Sequence, residues 1–257
     1  MLEVEEPAGG SQMMRVKEKE KIEDLLKTYK DVFDNSTMNS VWYLITHKNF
    51  EGLESPIKLG KEANIFTALK KDNQRVAVKI YRIATSDFFK MSQYLAMDKR
   101  FRKFESKKQI ILTWARREFS NLLKAYKSSV SVPMPIAIRE NIVVMEFLGT
   151  KHPDSPKPYP LLKDIHKDNI KEIYPKFIEE VKKLYKAGLV HGDLSEFNVL
   201  FDEELKPYII DLSHATPTIA PAANQLLERD IENICRFFNK KGMDLKPEEV
   251  KDYIKGN

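Results

Sequence analysis

The stretch Leu189-Val190-His191-Gly192-Asp193-Leu194-Ser195-Glu196-Phe197-Asn198-Val199-Leu200 constrains this chain most, because it sets a carboxylate and an amide five residues apart on a loop entering a strand. Asp and Asn also populate ordinary turns, so the stretch alone fits a solvated turn. The next residues narrow the choice. Val199-Leu200-Phe201 is an apolar run, residues 202–207 are polar turn material, and Tyr208-Ile209-Ile210 is a second apolar run ending at Asp211. Paired as a hairpin, these runs put Asn198 and Asp211 at one open end, where two oxygen donors face one point. Mg2+ is commonly held by one or two protein oxygens plus phosphates and water, so the arrangement suits phosphoryl transfer. In such a site Asp193 orients or deprotonates an attacking hydroxyl, and Asn198 reaches the metal.

An earlier stretch supplies a cation. A strand is expected near residues 64–69, a turn at Lys71-Asp72-Asn73-Gln74, and a second strand over 76–81. Pairing about that turn sets Lys79 opposite Phe66, close to the loop Gly60-Lys61-Glu62-Ala63-Asn64. Val76, Val78 and Ile80 then face one side and Ala77, Lys79 and Tyr81 the other, which puts Lys79 where a nucleotide under the loop would lie. The Val-Ala-Val-Lys order matches a phosphate-pairing lysine motif. Its partner is legible in the helix expected over 107–127 behind the N-cap Ser106. Ile111, Ala115, Glu118, Leu122 and Ala125 fall at spacings of four, three, four and three, so a carboxylate interrupts an apolar stripe. A buried carboxylate is costly unless paired, and Lys79 is the cation that the facing strand offers. Otherwise Glu118 sits at the stripe's edge and reaches water.

The remaining segments supply the frame. A second hairpin joins 136–139 to 142–147 through Glu140-Asn141, and in a two-lobed enzyme its exit would let the backbone of Glu146 and Leu148 bind adenine. The proline-rich residues 151–160 read as a loop. Ile173, Phe177, Val181, Leu184 and Tyr185 mark a helix ending near Gly188, and Leu226, Leu227, Ile231, Ile234, Phe237 and Phe238 mark a final one. At the other end, residues 1–14 lack periodicity and are expected to be disordered. Arg15 to Phe33 and Ser40 to His47 read as helices outside the catalytic core.

Composition bounds the class. The 257 residues suit one two-lobed domain or two small ones, with short apolar runs and an acidic start (Glu3, Glu5, Glu6) that argue against a membrane span or a signal peptide. The one cysteine, Cys235, excludes an internal disulfide and fits a reducing cytoplasm. A formal net charge of +5 and a pI near 9.0 suit acidic partners such as nucleotides or RNA, as well as an ordinary lysine-rich surface.

Taken together, Gly60-Lys61-Glu62-Ala63-Asn64-Ile65, Tyr81-Arg82-Ile83-Ala84-Thr85-Ser86-Asp87-Phe88, His191 to Asn198 and Ile210-Asp211-Leu212-Ser213 resemble the RIO family of atypical serine protein kinases, specifically its first subfamily, with an archaeal source expected. The resemblance covers roughly residues 32–240. It implies an α+β, two-lobed protein-kinase-like fold whose C-lobe is trimmed, without an activation loop or a peptide-binding subdomain. Its expected parts are a tail and helical extension (1–50), a β-rich N-lobe with one helix and a flexible insert at 82–106 (51–148), and a C-lobe (149–257). It implies ATP and Mg2+, with Mn2+ as an alternative, with Lys79 on the phosphates and Gly60, Lys61 and Ser195 also binding the nucleotide. Further roles are implied for Glu118 as ion-pair partner, Glu146 and Leu148 at adenine, Asp193 and Asp211 in catalysis, and Asn198 and Asp211 on the metal. Ser195 stands where ordinary kinases carry a lysine, and Leu212-Ser213 replaces their Phe-Gly. These departures suit ATP hydrolysis through an aspartyl-phosphate, or autophosphorylation on a serine of the insert, better than ordinary peptide phosphorylation.

The implied partner is a precursor of the small ribosomal subunit, with its rRNA or proteins, in the cytoplasm. No membrane partner and no particular oligomeric state is indicated. Two rivals stand beside this reading. An aminoglycoside-type small-molecule phosphotransferase shares His-Gly-Asp with an Asn five residues on. A nucleotide-switched RNA-binding protein fits the basic stretch 99–108, which holds six basic residues with Phe101 and Phe104 between them.

Overall fold

Five antiparallel strands make the main sheet in this computed structural model, which describes residues 33–83, 86–98, 100–101, 106–150 and 156–256. The strands are β1 (Gly52–Leu59), β2 (Ala63–Leu69), β3 (Arg75–Tyr81), β4 (Pro135–Arg139) and β5 (Ile142–Glu146), in the order β1-β2-β3-β5-β4. The tail 1–14 and all of the helix expected from Arg15 except Phe33 lie outside the described residues. The strand β1 escaped sequence reading because Pro56, Glu54 and Lys58 dilute its apolar content. Such a strand is tolerated at a sheet edge, where a missing amide costs no ladder bond, and the pairing with β2 shifts around Pro56.

The β2–β3 hairpin differs from expectation by one residue. Lys79 lies opposite Ile65, and Phe66 opposite Val78. The turn is Lys71-Asp72-Asn73 alone, closed by Lys70 N–H to Gln74 O at 2.8 Å and Asn73 N–H to Lys70 O at 3.0 Å. Asn73 takes φ 59°, the left-handed conformation that ends three-residue hairpin turns and that Asn tolerates. The face assignment on β3 survives the slip, because side chains alternate along a strand however it is paired.

Helix α1 (Asn35–Thr46) begins earlier than the sequence pattern suggested, because Asp34 caps it by accepting from Thr37 N–H at 2.7 Å. Its Val41 and Leu44 are buried with Phe66, Val78, Ile80 and Val144, so it belongs to the sheet's core instead of standing outside it. The insert also departs from expectation. Residues Phe88–Ala96 form helix α2, capped by Asp87, with Met91, Tyr94 and Leu95 buried at helical spacing. Arg100 is ion-paired with Asp98 at 2.6 Å and bonded to Asn121 at 2.8 Å, so one cation of the basic stretch serves packing. Residues 99 and 102–105 of that stretch lie outside the described residues. Of the insert's described serines, Ser86 is buried with its hydroxyl donating to Arg82 O at 2.5 Å, while Ser92 and Ser106 remain accessible.

Helix α3 (Lys107–Lys127) has the expected bounds, with Ser106 accepting from Gln109 N–H at 3.3 Å. It crosses the face of the sheet opposite α1, and its Ile111, Trp114, Ala115 and Leu122 join one apolar core with Phe177, Leu184, Leu212 and Phe238. Helix α4 (Ile170–Lys186), helix α5 (Ala223–Lys240) and helix α6 (Pro247–Lys255) complete that core. The last went unread although Pro247 at its first turn, Glu248, Glu249 and a left-handed Gly256 are ordinary boundary signals. Short pairs β6 (Leu189–Val190) with β9 (Thr216–Pro217), and β7 (Val199–Phe201) with β8 (Pro207–Ile209), carry the loops of the site. The expected 199–210 hairpin is thus present, with Val199 opposite Ile209 and Ile210 N–H bonded to Asn198 O at 3.0 Å.

Candidate active site

Three stretches far apart in sequence meet at one ammonium group. Lys79 Nζ on β3 donates to Glu118 Oε1 at 2.7 Å and to Asp211 Oδ1 at 2.9 Å. Glu118 is 2% exposed, so it is inside the core and not at the edge of its stripe, and Tyr81 Oη donates to its second oxygen. Burial opposes the Lys79 charge, but the carboxylates of Asp211 and Glu118 outweigh it and hold the ammonium protonated well above the ordinary lysine range. Burial pushes the Glu118 carboxyl up, against the pull of Lys79.

Asp211 sits just past β8 with φ 61° and ψ 65°. A left-handed aspartate costs on the order of 1 kcal/mol and is held there by its surroundings. Partial burial would raise its pKa, yet the Lys79 ammonium and the hydrogen bonds from Lys79 and Ser213 hold the carboxyl well below the usual range although the side chain remains 41% exposed. Ser213 Oγ donates to Oδ1 at 2.7 Å. The following residues are pinned by α3: Arg117 Nη2 donates to Ala215 O at 3.1 Å and to Thr216 Oγ1 at 2.9 Å, and Asn121 Nδ2 to Ala215 O at 2.7 Å. His214 lies edge-on between the rings of Tyr94 and Trp114, and burial holds its imidazole down to about 3. The unfolded chain takes up this proton near pH 6.5 and the native state refuses it. Stability from this residue is therefore present above that pH and lost as pH falls toward 3. Melting temperatures between pH 7 and 4 are expected to fall less in His214→Phe than in wild type.

The loop after β6 is held by its own backbone and by α5. His191 Nε2 donates to Ile210 O at 3.0 Å while its Nδ1 accepts from Asp193 N–H at 3.3 Å, which ties the loop to the strand before Asp211. Asn198 Nδ2 donates to Asp193 O at 2.8 Å, so these two residues meet through the loop. Ser195 is engaged in the same turn, its Oγ accepting from Phe197 N–H at 3.4 Å and its carbonyl from Asn198 N–H at 3.0 Å. From α5, Asp230 accepts from Gly192 N–H at 2.7 Å and Leu194 N–H at 2.9 Å. Burial pushes the Asp230 carboxyl up, opposed by His191 and by these two amides. Asp230→Ala would strand two buried donors. It is expected to cost roughly 2 kcal/mol or more in chemical denaturation and to lower turnover as the loop loosens.

A cavity of about 420 Å³ opens over this arrangement. Lys79, Glu118, Asn198 and Asp211 are among its polar lining, with Lys58, Glu146, Tyr159 and Asp164, and Ile65, Ala77, Met145, Leu148, Leu200 and Ile210 are among its apolar lining. Gly60, Lys61, Asp193 and Ser195 are not part of that lining. Gly60 donates its N–H to Asn64 Oδ1 at 3.1 Å, and a Cβ there would stand 2.8 Å from Ala63 O, so this turn admits only glycine without a shift. At the expected hinge, Glu146 N–H is committed to Met134 O at 2.9 Å and Leu148 O to Tyr159 N–H at 3.0 Å. The adenine contacts expected there would have to use the remaining backbone groups.

This geometry has close relatives. A family model described as the RIO domain matches residues 64–251. The chain belongs to the RIO family. The RIO-type serine/threonine-protein kinase Rio1 of Haloferax volcanii is 38% identical over 236 residues, covering 91% of this chain and 79% of that protein. The Rio1 kinase of Methanocaldococcus jannaschii is 40% identical over 242 residues, covering 93% and 81%. The crystal structure of the Rio2 kinase–ADP/Mg2+–phosphoaspartate complex from Chaetomium thermophilum is similar with a TM-score of 0.66 at 23% identity, over 86% of this chain and 67% of that one. The expected kinase-like α+β fold is thus the fold of this RIO chain, its relatives are archaeal Rio1 kinases, and it is an enzyme of the serine/threonine-protein kinase class. RIO membership leaves the aminoglycoside phosphotransferase reading without support. Among the described residues, no helix is long and apolar enough to cross a membrane.

Sequence reading missed Asp230 and Arg117, and it gave no role to His191 although the motif contains it. Asp230 was findable, because it interrupts the stripe of Leu226, Leu227, Ile231 and Ile234 just as Glu118 interrupts its own. Arg117 was not, since an arginine beside Glu118 looks like a solvated neighbour until the fold buries it completely.

Proposed function

We propose that this chain binds ATP with Mg2+, or with Mn2+, in the cleft lined by Lys79 and Asp211 and transfers the terminal phosphoryl group. The observation that carries this reading is the meeting of Lys79, Glu118 and Asp211 at 2.7 and 2.9 Å in a cavity also lined by Asn198. Lys79 pairs the phosphates and is kept charged and aimed by Glu118. The turn at Gly60 and Lys61 covers the phosphates, Ser195 lies beside them, and the backbone at Glu146 and Leu148 takes the adenine. The donor set fits a hard cation: Asn198 Oδ1 and Asp211 Oδ2 have no protein hydrogen-bond partner among the described residues. When bound, Mg2+ would neutralise charge on the phosphate oxygens.

Asp211 is also the phosphoryl acceptor in this reading. Its Oδ1 is occupied by Lys79 and Ser213, which leaves Oδ2 as the nucleophile, so that Oδ2 would give up its place on the cation at least transiently for the attack. Oδ2 attacks the terminal phosphorus, the bond to the bridging oxygen breaks, and ADP leaves. A water then attacks the acyl-phosphate, giving up its proton to Asp193 as inorganic phosphate departs and the carboxylate returns. The Rio2 complex from Chaetomium thermophilum, described as containing phosphoaspartate, supports the same chemistry here. Acid-quenched enzyme from labelled ATP is expected to carry label that hydroxylamine releases, because acyl-phosphates are cleaved by it and phosphoserine is not. Label that resists hydroxylamine would favour direct transfer to a hydroxyl. The partner in this reading is a cytoplasmic precursor of the small ribosomal subunit, and the basic surplus of the chain suits its RNA.

A further inference from the structure

The carbonyl and the amide of Gly192, the residue before Asp193, are held by consecutive residues of α5. Asp230 takes the N–H, and Arg229 Nη2 donates to the carbonyl. A guanidinium Nη carries two hydrogens, and the second goes to Tyr94 Oη at 3.1 Å. Tyr94 belongs to α2, inside the insert, and is 8% exposed. Its ring meets the His214 ring edge-on, with centroids 4.8 Å apart, and His214 is three residues past Asp211. Gly192 in turn lies so close to the His214 carbonyl that a Cβ would approach it to 2.9 Å. One side chain of the insert therefore touches the supports of both loops of the site.

We propose that Tyr94 is a positioning residue for the reaction: its hydroxyl fixes Arg229, Arg229 fixes the Gly192 carbonyl, and α2 thereby sets where Asp193 stands. Burial works against the Arg229 charge, but the Tyr94 hydroxyl and the carboxylates of Asp230 and Asp193 outweigh it, which is consistent with a guanidinium held at the back of the loop. Tyr94 touches no reacting atom. Its ring packs against Trp114 and His214, and its hydroxyl does the positioning, so the two roles separate cleanly in Tyr94→Phe. Neither Tyr94 nor Arg229 lines the cavity, so nucleotide affinity should not depend on this link.

The inference rests on Asp193 acting at the reacting hydroxyl or water, and the test keeps the two apart. ATP turnover, fluorescent-ADP affinity and melting temperature are measured on the full chain for wild type, Tyr94→Phe, Arg229→Gln, the double variant and Asp193→Asn. Tyr94→Phe is expected to lower kcat about tenfold with KM for ATP and ADP affinity within about twofold of wild type, since small displacements of a catalytic group act on turnover. The double variant should lose no more than Arg229→Gln alone, because both act through one contact. Wild-type kcat in Tyr94→Phe, or losses that add in the double variant, would overturn the proposal. So would a lowered melting temperature with kcat and KM worsening together, which would make Tyr94 a packing residue only. If Asp193→Asn itself keeps wild-type turnover, the functional reading of the loop fails instead.

Discussion

Asp211→Asn is expected to lower ATP turnover by ~100-fold or more while the protein stays folded. The substitution keeps size and an oxygen that can accept from Lys79 and Ser213, so the local hydrogen bonds persist. What it removes is the charge that answers Lys79 and that would meet a cation. The carboxylate side chain is 41% exposed, so its ion pair with Lys79 is screened and the loss of fold stability should be small. Phosphate release at saturating ATP, alongside thermal melting, separates the two effects. Asp211→Ala should in addition abolish the hydroxylamine-labile label. Wild-type turnover in Asp211→Asn would remove this residue from the site, and label persisting in Asp211→Ala would refute the acyl-phosphate at this position.

Lys79→Ala is expected to cost both turnover and fold stability, the latter by ~3–5 kcal/mol, because it leaves a buried carboxylate without its cation. Glu118 has side-chain exposure of 3%, and only the Tyr81 hydroxyl would remain to it. Its pKa, already raised by burial, would rise further without Lys79. A raised carboxyl pKa means the native state binds a proton that the unfolded chain gives up near pH 4.5. The variant should therefore gain stability on acidification and lose it as pH rises through the folded pKa. Adding Glu118→Gln to Lys79→Ala removes the stranded charge, so denaturation midpoints should recover while turnover does not. Recovery of both would mean that Lys79 serves the fold alone. No loss of stability in Lys79→Ala would mean that Glu118 finds another partner.

Much of this was legible without coordinates, for a physical reason. A carboxylate at an apolar position of an amphipathic stripe has to find a cation, and so Glu118 pointed to Lys79 before either was placed. Alternation along β3 and the two apolar runs around Asp211 likewise settled which residues share a face, since those periods are local properties of the chain. Turn length was not legible: a three-residue turn with left-handed Asn73 moved Lys79 from Phe66 to Ile65, and propensity alone does not distinguish it from a four-residue one. The edge strand β1 was hidden because Glu54, Pro56 and Lys58 dilute its apolar pattern, and helix α2 because nine residues with the stripe Met91, Tyr94 and Leu95 give too short a period to stand out.

The sequence by itself determined which residues are the candidates for the chemistry, Lys79, Glu118, Asp193, Asn198 and Asp211, each recognisable from its neighbours within a few residues. Only the tertiary structure decided that Lys79 is shared between two carboxylates, that Asp211 sits in a left-handed backbone, and that Arg117 and Asp230 hydrogen-bond the loops from behind. Those facts depend on contacts between segments separated by scores of residues. The free energy of burying a charge or a backbone amide is set there by what the fold brings alongside, and no local period records it.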